Sequence, residues 1–139
     1  MAKVLIIEDD PLIVKIYTTR LTADGYEVLS AENGEDGLKL IEQDGINLIV
    51  LDLMMPRVDG FGLLEKIRST EKTKNIPVLV YSNLAQEEEV NRAKSLGATE
   101  FIVKANISPT EMVNKIKSYL IKNIPINPTN TTNTTNTTN

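Results

Sequence analysis

The feature that most constrains the fold of this chain is a fivefold alternation of short apolar runs with amphipathic segments. Runs rich in Val, Ile and Leu are typical of buried strands, whereas apolar residues at intervals of three and four are typical of helices. The alternation predicts a parallel sheet with right-handed crossovers, and strands this apolar need cover on both faces. The predicted fold class is therefore α/β, a doubly wound five-stranded parallel sheet with five helices. The predicted strands span residues 3–7, 27–31, 47–51, 77–81 and 100–103.

Start and stop signals delimit the helices between these strands. Asp10 followed by Pro11 is typical of a helix start, and we expect Asp10 to cap this helix rather than to bind a ligand. Asp59 before Gly60 is likewise expected to be a helix cap. The predicted helices run from Pro11 to a stop at Asp24-Gly25, over 34–43, around 61–67, over 86–95, and from a capping box at 108–111 onward to Leu120.

The length of 139 residues fits one domain, which we expect to cover residues 1–124. Pro125 and Pro128 interrupt the remainder, and residues 129–139 contain only Thr and Asn. Such a segment cannot fill a core, so we expect residues 125–139 to be a disordered tail, either without function or acting as a linker. The sequence shows no long apolar signal segment and no run long enough to span a membrane, which predicts a cytoplasmic protein without membrane contact.

Composition narrows the chemistry that the chain can perform. It contains no Cys and no His, which removes thiolate and imidazole ligands and the commonest general base. A metal would have to be bound by oxygen atoms, which favours Mg²⁺, Mn²⁺ or Ca²⁺. The formal net charge of -4 argues against a nucleic-acid-binding surface.

Polar residues directly follow four of the five predicted strands. The carboxyl ends of parallel strands meet at one edge of the sheet, where ligands bind in open α/β folds. Each residue alone has an ordinary explanation as a strand-end acid, a turn residue or a surface lysine, but their co-occurrence indicates a site. They are Glu8 and Asp9 after the first strand, Asp52 after the third, Ser82 after the fourth and Lys104 after the fifth.

The residue types at this edge suit phosphoryl chemistry. Three carboxylates close together repel one another unless a cation compensates their charge, and Mg²⁺ needs only one or two carboxylates plus ligand oxygens and water. Lys104 adds a second positive charge, and Ser82 has a hydroxyl that can donate to a phosphoryl oxygen. An aspartate such as Asp52 can attack phosphorus as a covalent nucleophile.

Four motifs resemble the receiver domain of response regulators in two-component signalling, in particular a stand-alone, chemotaxis-regulator-like receiver. They are Val-Leu-Ile-Ile-Glu-Asp-Asp at residues 4–10, Asp-Leu-Met-Met-Pro-Arg-Val-Asp-Gly at 52–60, Leu-Val-Tyr-Ser at 79–82 and Phe-Ile-Val-Lys at 101–104. The resemblance extends over about residues 1–124, and the motif from Asp52 to Gly60 is its most specific part. It implies a flavodoxin-like fold with strand order 2-1-3-4-5.

The resemblance also implies a role for each residue of the site. Asp52 would be the phosphoacceptor, and Ser82 and Lys104 would contact the phosphoryl group. Phe101 would be the aromatic switch whose rotamer follows the position of Ser82. The implied ligands of Mg²⁺, or of Mn²⁺ in its place, are Asp9, Glu8 through water, Asp52 and the backbone carbonyl of Met54.

By the same resemblance, the chain is a switch that accepts a phosphoryl group from a histidine kinase or a phosphotransfer protein. It would promote its own phosphorylation and dephosphorylation without turning over an external substrate. A downstream protein partner would bind the surface of the fourth helix, fifth strand and fifth helix, and the chain would be a monomer or a phosphorylation-dependent dimer. The kinase would dock near the first helix, against Leu12 and Ile13.

Other functions are open. The chain could be a phosphotransfer intermediate in a relay, a receiver cut from a longer protein, or a degenerate receiver that signals as a binding module without phosphorylation. An aspartate-based phosphatase usually needs a second aspartate two residues after the nucleophile, where this chain has Met54. A nucleotide- or flavin-binding domain needs a glycine-rich phosphate loop, which residues 8–12 lack.

Several positions depart from the commonest family pattern. Glu8 replaces the more frequent Asp, and Phe101 lacks the hydroxyl of the common Tyr. The family usually has a proline in a cis bond where this chain has Ala105, and a cis bond to Ala would cost about 3 kcal/mol. Asn83 stands where a small residue is usual.

The residues two positions after Asp52 and two positions after Ser82 are both apolar. They are Met54 and Leu84, and neither can orient an attacking water. We therefore expect the phosphorylated form to hydrolyse slowly for this class of protein.

Overall fold

The computed structural model describes residues 1–122 and confirms the predicted alternation of strands and helices. The strands are β1 (Lys3–Ile7), β2 (Glu27–Ala31), β3 (Ile46–Leu51), β4 (Val78–Ser82) and β5 (Glu100–Val103). The helices are α1 (Pro11–Ala23), α2 (Gly34–Leu40), α3 (Gly60–Ser69), α4 (Glu87–Ser95) and α5 (Pro109–Lys122), with a 3₁₀ turn at Lys104–Asn106. The predicted tail at 125–139 and the last two residues of the expected domain lie outside the described residues.

The five strands run parallel in one sheet of order β2-β1-β3-β4-β5, which confirms the expected topology. β1 and β3 are neighbours inside the sheet, and they end in register with Ile7 opposite Leu51. The main chain continues this alignment one residue further, since the N–H of Asp52 donates to the carbonyl of Ile7 at 3.0 Å. The sheet therefore carries Glu8 and Asp52 side by side to its carboxyl edge.

Helices cover both faces of the sheet and bury two apolar layers. Alternate residues of a strand point to opposite faces, so Leu5 and Ile7 join the layer under α3 and α4, while Val4 and Ile6 join the layer under α1 and α5. This two-sided burial is the arrangement that continuous apolar runs predict. Within residues 1–122, no helix is long and apolar enough to cross a bilayer.

The predicted helix caps are confirmed. The carboxylate of Asp10 accepts the N–H of Leu12 at 2.9 Å, and that of Asp59 accepts the N–H of Phe61 at 3.1 Å. At the start of α5, the N–H of Glu111 donates to Ser108 Oγ at 3.1 Å, and the N–H of Ser108 donates to Glu111 Oε1 at 2.9 Å. Local hydrogen bonding of this kind determines where these helices begin.

Several element boundaries differ from the predicted ones. α2 ends at Leu40 rather than at residue 43, because the chain from Ile41 turns through Gly45, at φ 84°, before it enters β3. β4 spans Val78–Ser82 rather than 77–81, so Ser82 is the last residue of the strand. The 3₁₀ turn at Lys104–Asn106 is absent from the predicted elements, and no cis peptide bond occurs within residues 1–122, which makes the Lys104–Ala105 bond trans.

Candidate functional site

Three carboxylates form an acidic cluster at the carboxyl edge of the sheet. Glu8 and Asp9 follow β1, Asp52 follows β3, and one oxygen of each lies within 4.8 Å of the others. Glu8 and Asp52 are only 2% and 3% exposed, and Asp9 is half-buried. The cluster brings together the three acidic residues that the strand ends predicted.

Lys104 lies directly against this cluster. Its Nζ is 2.7 Å from Glu8 Oε1 and 3.0 Å from Asp52 Oδ2. Burial lowers the pKa of Lys104, but the hydrogen bonds and charges of Glu8 and Asp52 outweigh that effect and raise it, so this lysine is a fixed positive charge. The trans bond to Ala105 thus leaves Lys104 in contact with Asp52, although the family pattern has a cis proline at that point.

The cluster carries more negative charge than one lysine balances. Burial, supported by the charge of Asp52, raises the pKa of Glu8 from 4.5 to about 7, against the lowering effect of Lys104. A buried carboxylate whose charged form is this unfavourable gains from a nearby cation. The three carboxylates of the cluster offer oxygen ligands of the type that Mg²⁺ prefers, so these residues fit a divalent metal ion.

Both oxygens of Asp52 accept a hydrogen bond. Oδ1 accepts the backbone N–H of Met54 at 2.9 Å, while Oδ2 accepts from Lys104. The bond from Met54 holds the start of the β3–α3 loop close to the carboxylate, and the Met54 side chain itself is 54% exposed. The carboxylate is therefore held in one orientation before any ligand binds.

Ser82 and Phe101 lie on the same face of the sheet. Phe101 is paired with Val80 across β4 and β5, and Ser82 comes two residues after Val80, so alternation points both side chains toward α3 and α4. Ser82 is fully buried, and its Oγ accepts the N–H of Leu84 at 3.1 Å. Phe101 is half-buried against the apolar layer under α3 and α4.

Three contacts of the site were beyond the sequence patterns. One is the Met54 N–H bond to Asp52, and another is the Tyr81 ring, whose centroid lies 5.4 Å from Lys104 Nζ. The hydroxyl of Tyr81 is 2.7 Å from that of the buried Tyr17, which fixes the ring. The third joins the Asn83 side chain to the N–H of Ala105 at 2.9 Å. Asn83 and Ala105 both differ from the residues that are usual in the family. That shared difference is the only feature of the sequence that could have suggested a contact between them.

A shallow groove lies between α1 and α5 near the same end of the molecule. It has a volume of about 360 Å³ and is lined by Leu12, Lys15, Ile16, Thr19, Arg20 and Pro109. Leu12 is 64% exposed, whereas Ile13 packs partly buried against the layer under α1 and α5. Of the two residues predicted to meet a partner, only Leu12 presents a largely exposed side chain.

Comparisons with known proteins agree with this geometry. A family model described as the response regulator receiver domain matches residues 4–117. A protein of Porphyridium aerugineum named "Probable transcriptional regulator ycf27" is 38% identical over 118 residues, which cover 85% of this chain and 48% of that protein. The DNA-binding dual master transcriptional regulator RpaA of Synechocystis is 36% identical over 120 residues, covering 86% of this chain and 49% of that protein.

A solved structure shows the same fold. The CheY-like response regulator receiver domain protein of Methanospirillum hungatei superposes with a TM-score of 0.80 at 28% identity, covering 88% of this chain and 96% of the other. This chain thus covers nearly all of that receiver, but it spans about half the length of the two curated relatives.

Proposed function

Because the chain belongs to the response regulator receiver domain family, we propose that it is a signalling switch in which Asp52 accepts a phosphoryl group. The observation that carries this proposal is the contact of Lys104 with Asp52 inside a buried acidic cluster. A nucleophilic carboxylate, a fixed cation beside it and further carboxylate oxygens are what transfer of a phosphoryl group to aspartate requires.

The proposed donor is the phosphohistidine of a histidine kinase or of a phosphotransfer protein. A carboxylate oxygen of Asp52 attacks phosphorus in line, the P–N bond breaks, and the histidine keeps the electron pair of that bond and takes up a proton. Lys104 balances the negative charge that develops on the phosphoryl oxygens, and it does so with little reorganisation because it already lies 3.0 Å from Asp52. The product is an acyl phosphate on Asp52.

Glu8, Asp9, Asp52 and the backbone carbonyl of Met54 are the proposed ligands of Mg²⁺ or Mn²⁺. The metal, when bound, supplies positive charge to the phosphoryl oxygens. Because a phosphohistidine donor depends on the ATP of the cytoplasm, the same proposal assigns the chain to that compartment.

The proposed output begins at Ser82. A phosphoryl group adds a charge of about -2 beside Asp52, and the Ser82 hydroxyl turns to donate to one of its oxygens. Phe101 lies on the same face of the sheet and repacks as Ser82 moves, which changes the surface formed by α4, β5 and α5. On that surface, Glu100 binds Lys115 at 2.7 Å and accepts from the Tyr119 hydroxyl at 2.7 Å.

We place the phosphodonor at the groove between α1 and α5. Leu12 offers an exposed apolar contact there, and Lys15 and Arg20 add positive charge at its rim. The output partner is proposed to be a protein that binds the α4-β5-α5 surface, as a partner of the monomer or as a second copy after phosphorylation. The curated relatives are transcriptional regulators by name, and no DNA contact is proposed for the half of their length that this chain spans.

The test is incubation of the full chain with Mg²⁺ and a small phosphodonor such as acetyl phosphate, followed by intact-mass measurement. The proposal expects one added phosphoryl group, none in Asp52→Asn, and none when Mg²⁺ is replaced by a chelator. Labelling that persists in Asp52→Asn would overturn the assignment of the acceptor. No labelling by the small donor or by a set of histidine kinases would favour the phosphorylation-independent binding module instead.

A further inference from the structure

The hydrogen bond between Asn83 and Ala105 joins the two segments that directly follow the proposed site residues Ser82 and Lys104. Asn83 follows Ser82 directly, and Ala105 follows Lys104. The last paired residues of β4 and β5 are Ser82 and Val103, and the two segments separate after them. The Oδ1 of Asn83 accepts a hydrogen bond from the N–H of Ala105 at 2.9 Å. This bond connects the two segments just beyond the last backbone pairing of β4 with β5.

The turn that holds Lys104 has few other restraints. β5 is an edge strand, paired with β4 alone. Within the 3₁₀ turn, the closing bond from the N–H of Ile107 to the carbonyl of Lys104 is long, at 3.5 Å, and Val103 provides no side-chain cap. Besides the ion pairs of the Lys104 side chain with Glu8 and Asp52, the contact with Asn83 is a short hydrogen bond that ties the backbone of this turn to the loop after β4.

We propose that Asn83 is a positioning residue for Lys104: its amide oxygen holds the backbone of Ala105 so that the ammonium group reaches Asp52 and Glu8. A proline at position 105 has no N–H and could not form this bond. Asn83 can therefore position Lys104 only because residue 105 is Ala, whose N–H is available. Asn83 itself is exposed and contacts none of the carboxylates through a hydrogen bond given by the structure. The predicted effect on the phosphorylation rate rests on the proposed function, whereas the positioning of Lys104 does not.

The kinetic test compares Asn83→Leu, which keeps much of the volume but removes the acceptor, with Asn83→Asp, which keeps it. We expect Asn83→Leu to slow phosphorylation by acetyl phosphate about three- to tenfold, the range of one net hydrogen bond. Asn83→Asp should retain a faster rate than Asn83→Leu. Gln43→Leu, which also replaces an exposed amide side chain by leucine but lies before β3, away from the site and the output surface, is the control and should leave the rate unchanged.

A second background separates positioning from a general structural effect. In Lys104→Ala, the substitution Asn83→Leu should have no further effect on the rate, because Asn83 acts through Lys104. Equal slowing by Asn83→Leu in both backgrounds would overturn the proposal. So would a rate for Asn83→Leu equal to that of the unmodified chain.

Amide hydrogen exchange of Ala105, followed by NMR, tests the contact without any phosphorylation. We expect exchange at Ala105 to become faster in Asn83→Leu and to stay slow in Asn83→Asp, while the amides of β1 and β3 stay unchanged. If the unmodified chain accepts no phosphoryl group, the proposed function fails, and this measurement still decides whether Asn83 holds the turn. Unaltered exchange at Ala105 in Asn83→Leu would overturn the inference.

Discussion

At the scale of single residues, Asp52 is held by one donor on each oxygen. The N–H of Met54 holds Oδ1 and the ammonium of Lys104 holds Oδ2. The same lysine also pairs with Glu8, so one cation faces two buried carboxylates. The reactivity that we propose for Asp52 thus depends on its immediate neighbours.

Met54 and Leu84, which stand two residues after Asp52 and two residues after Ser82, are the apolar residues expected to slow hydrolysis. We predict that Met54→Asn and Leu84→Glu each speed phosphate loss from the phosphorylated chain, because a polar side chain can orient the attacking water. One hydrogen bond to that water corresponds to roughly tenfold in rate. Release of inorganic phosphate after removal of the donor measures the effect. Met54→Leu and Leu84→Met are the matched apolar controls, and no acceleration in either polar variant would refute the explanation.

As a proposed metal ligand, Glu8 is expected to make metal binding depend on pH. Its pKa in the metal-free site is raised to about 7 by burial and by Asp52, while its ordinary value is 4.5. Because the pKa of Glu8 is higher in the folded chain than in the unfolded chain, protonation of Glu8 stabilises the fold. This stabilisation is complete below about pH 4.5 and is lost as the pH rises through about 7. Mg²⁺ requires the ionised form, so we predict weaker Mg²⁺ binding and more proton release at about pH 6 than at about pH 8.

Calorimetry in two buffers of different ionisation enthalpy measures that proton release. The chain has no histidine, the side chain whose ordinary pKa lies in this range. Glu8→Gln should remove most of the pH dependence of Mg²⁺ binding. A dependence of equal size in Glu8→Gln would show that another group is responsible.

At the scale of elements, the junction of β3 and α3 determines where Asp52 is placed. Asp59 caps α3 through the N–H of Phe61, and the first residue of the helix, Gly60, lies against the backbone of Leu53. A Cβ at Gly60 would stand 2.6 Å from the Cα of Leu53 and 2.7 Å from its carbonyl oxygen. The absence of a side chain at this position lets the helix approach the residue next to the proposed acceptor.

We therefore predict that Gly60→Ala lowers the free energy of unfolding by about 1–3 kcal/mol, because the backbone of Leu53 must move. The same shift should slow phosphorylation of Asp52. Denaturant unfolding and the acetyl phosphate assay measure the two effects. Gly62→Ala is the control within the same helix, since its Cβ would meet the exposed carboxylate of Asp59 at 3.0 Å. The prediction is wrong if Gly60→Ala is no more destabilising than Gly62→Ala.

At the scale of the whole molecule, the acidic cluster is expected to link metal binding to global stability. The cluster lies at the ends of β1 and β3, which are neighbours inside the sheet and separate the two apolar layers. A ligand that binds only the folded state stabilises the entire domain by mass action. Mg²⁺ should therefore act as a stabiliser of the fold, although its proposed ligands come from the sheet edge.

We predict that Mg²⁺ at ten times its Kd raises the free energy of unfolding by about 1.4 kcal/mol. At the same Mg²⁺ concentration, Asp9→Asn should lose most of this gain. The variant keeps the ion pairs of Lys104, because those involve Glu8 and Asp52. Thermal unfolding with and without Mg²⁺ provides the measurement. An equal gain in Asp9→Asn would exclude Asp9 as a ligand.

The extent of the domain gives another prediction at this scale. The buried apolar residues of the described part lie between Ala2 and Leu120. We propose that the receiver domain comprises residues 1–124, and we expect a chain that ends at 124 to keep both its unfolding midpoint and its phosphorylation rate. A lower midpoint after truncation would show that residues 125–139 contribute to folding.

The sequence by itself determined the fold and which charged residues meet at the carboxyl edge of the sheet. Periodicity separated strands from helices, and two-sided burial required a doubly wound sheet, because these properties depend on local residue order and on the net gain from burying apolar surface. The parallel topology then brought Glu8, Asp9, Asp52 and Lys104 together. Only the tertiary structure decided how these side chains pair. The second ion pair of Lys104, the Tyr81 ring beside it and the Asn83–Ala105 bond depend on rotamers and on the separation of two loops. Long-range packing sets those geometries, and no local pattern of residues encodes them.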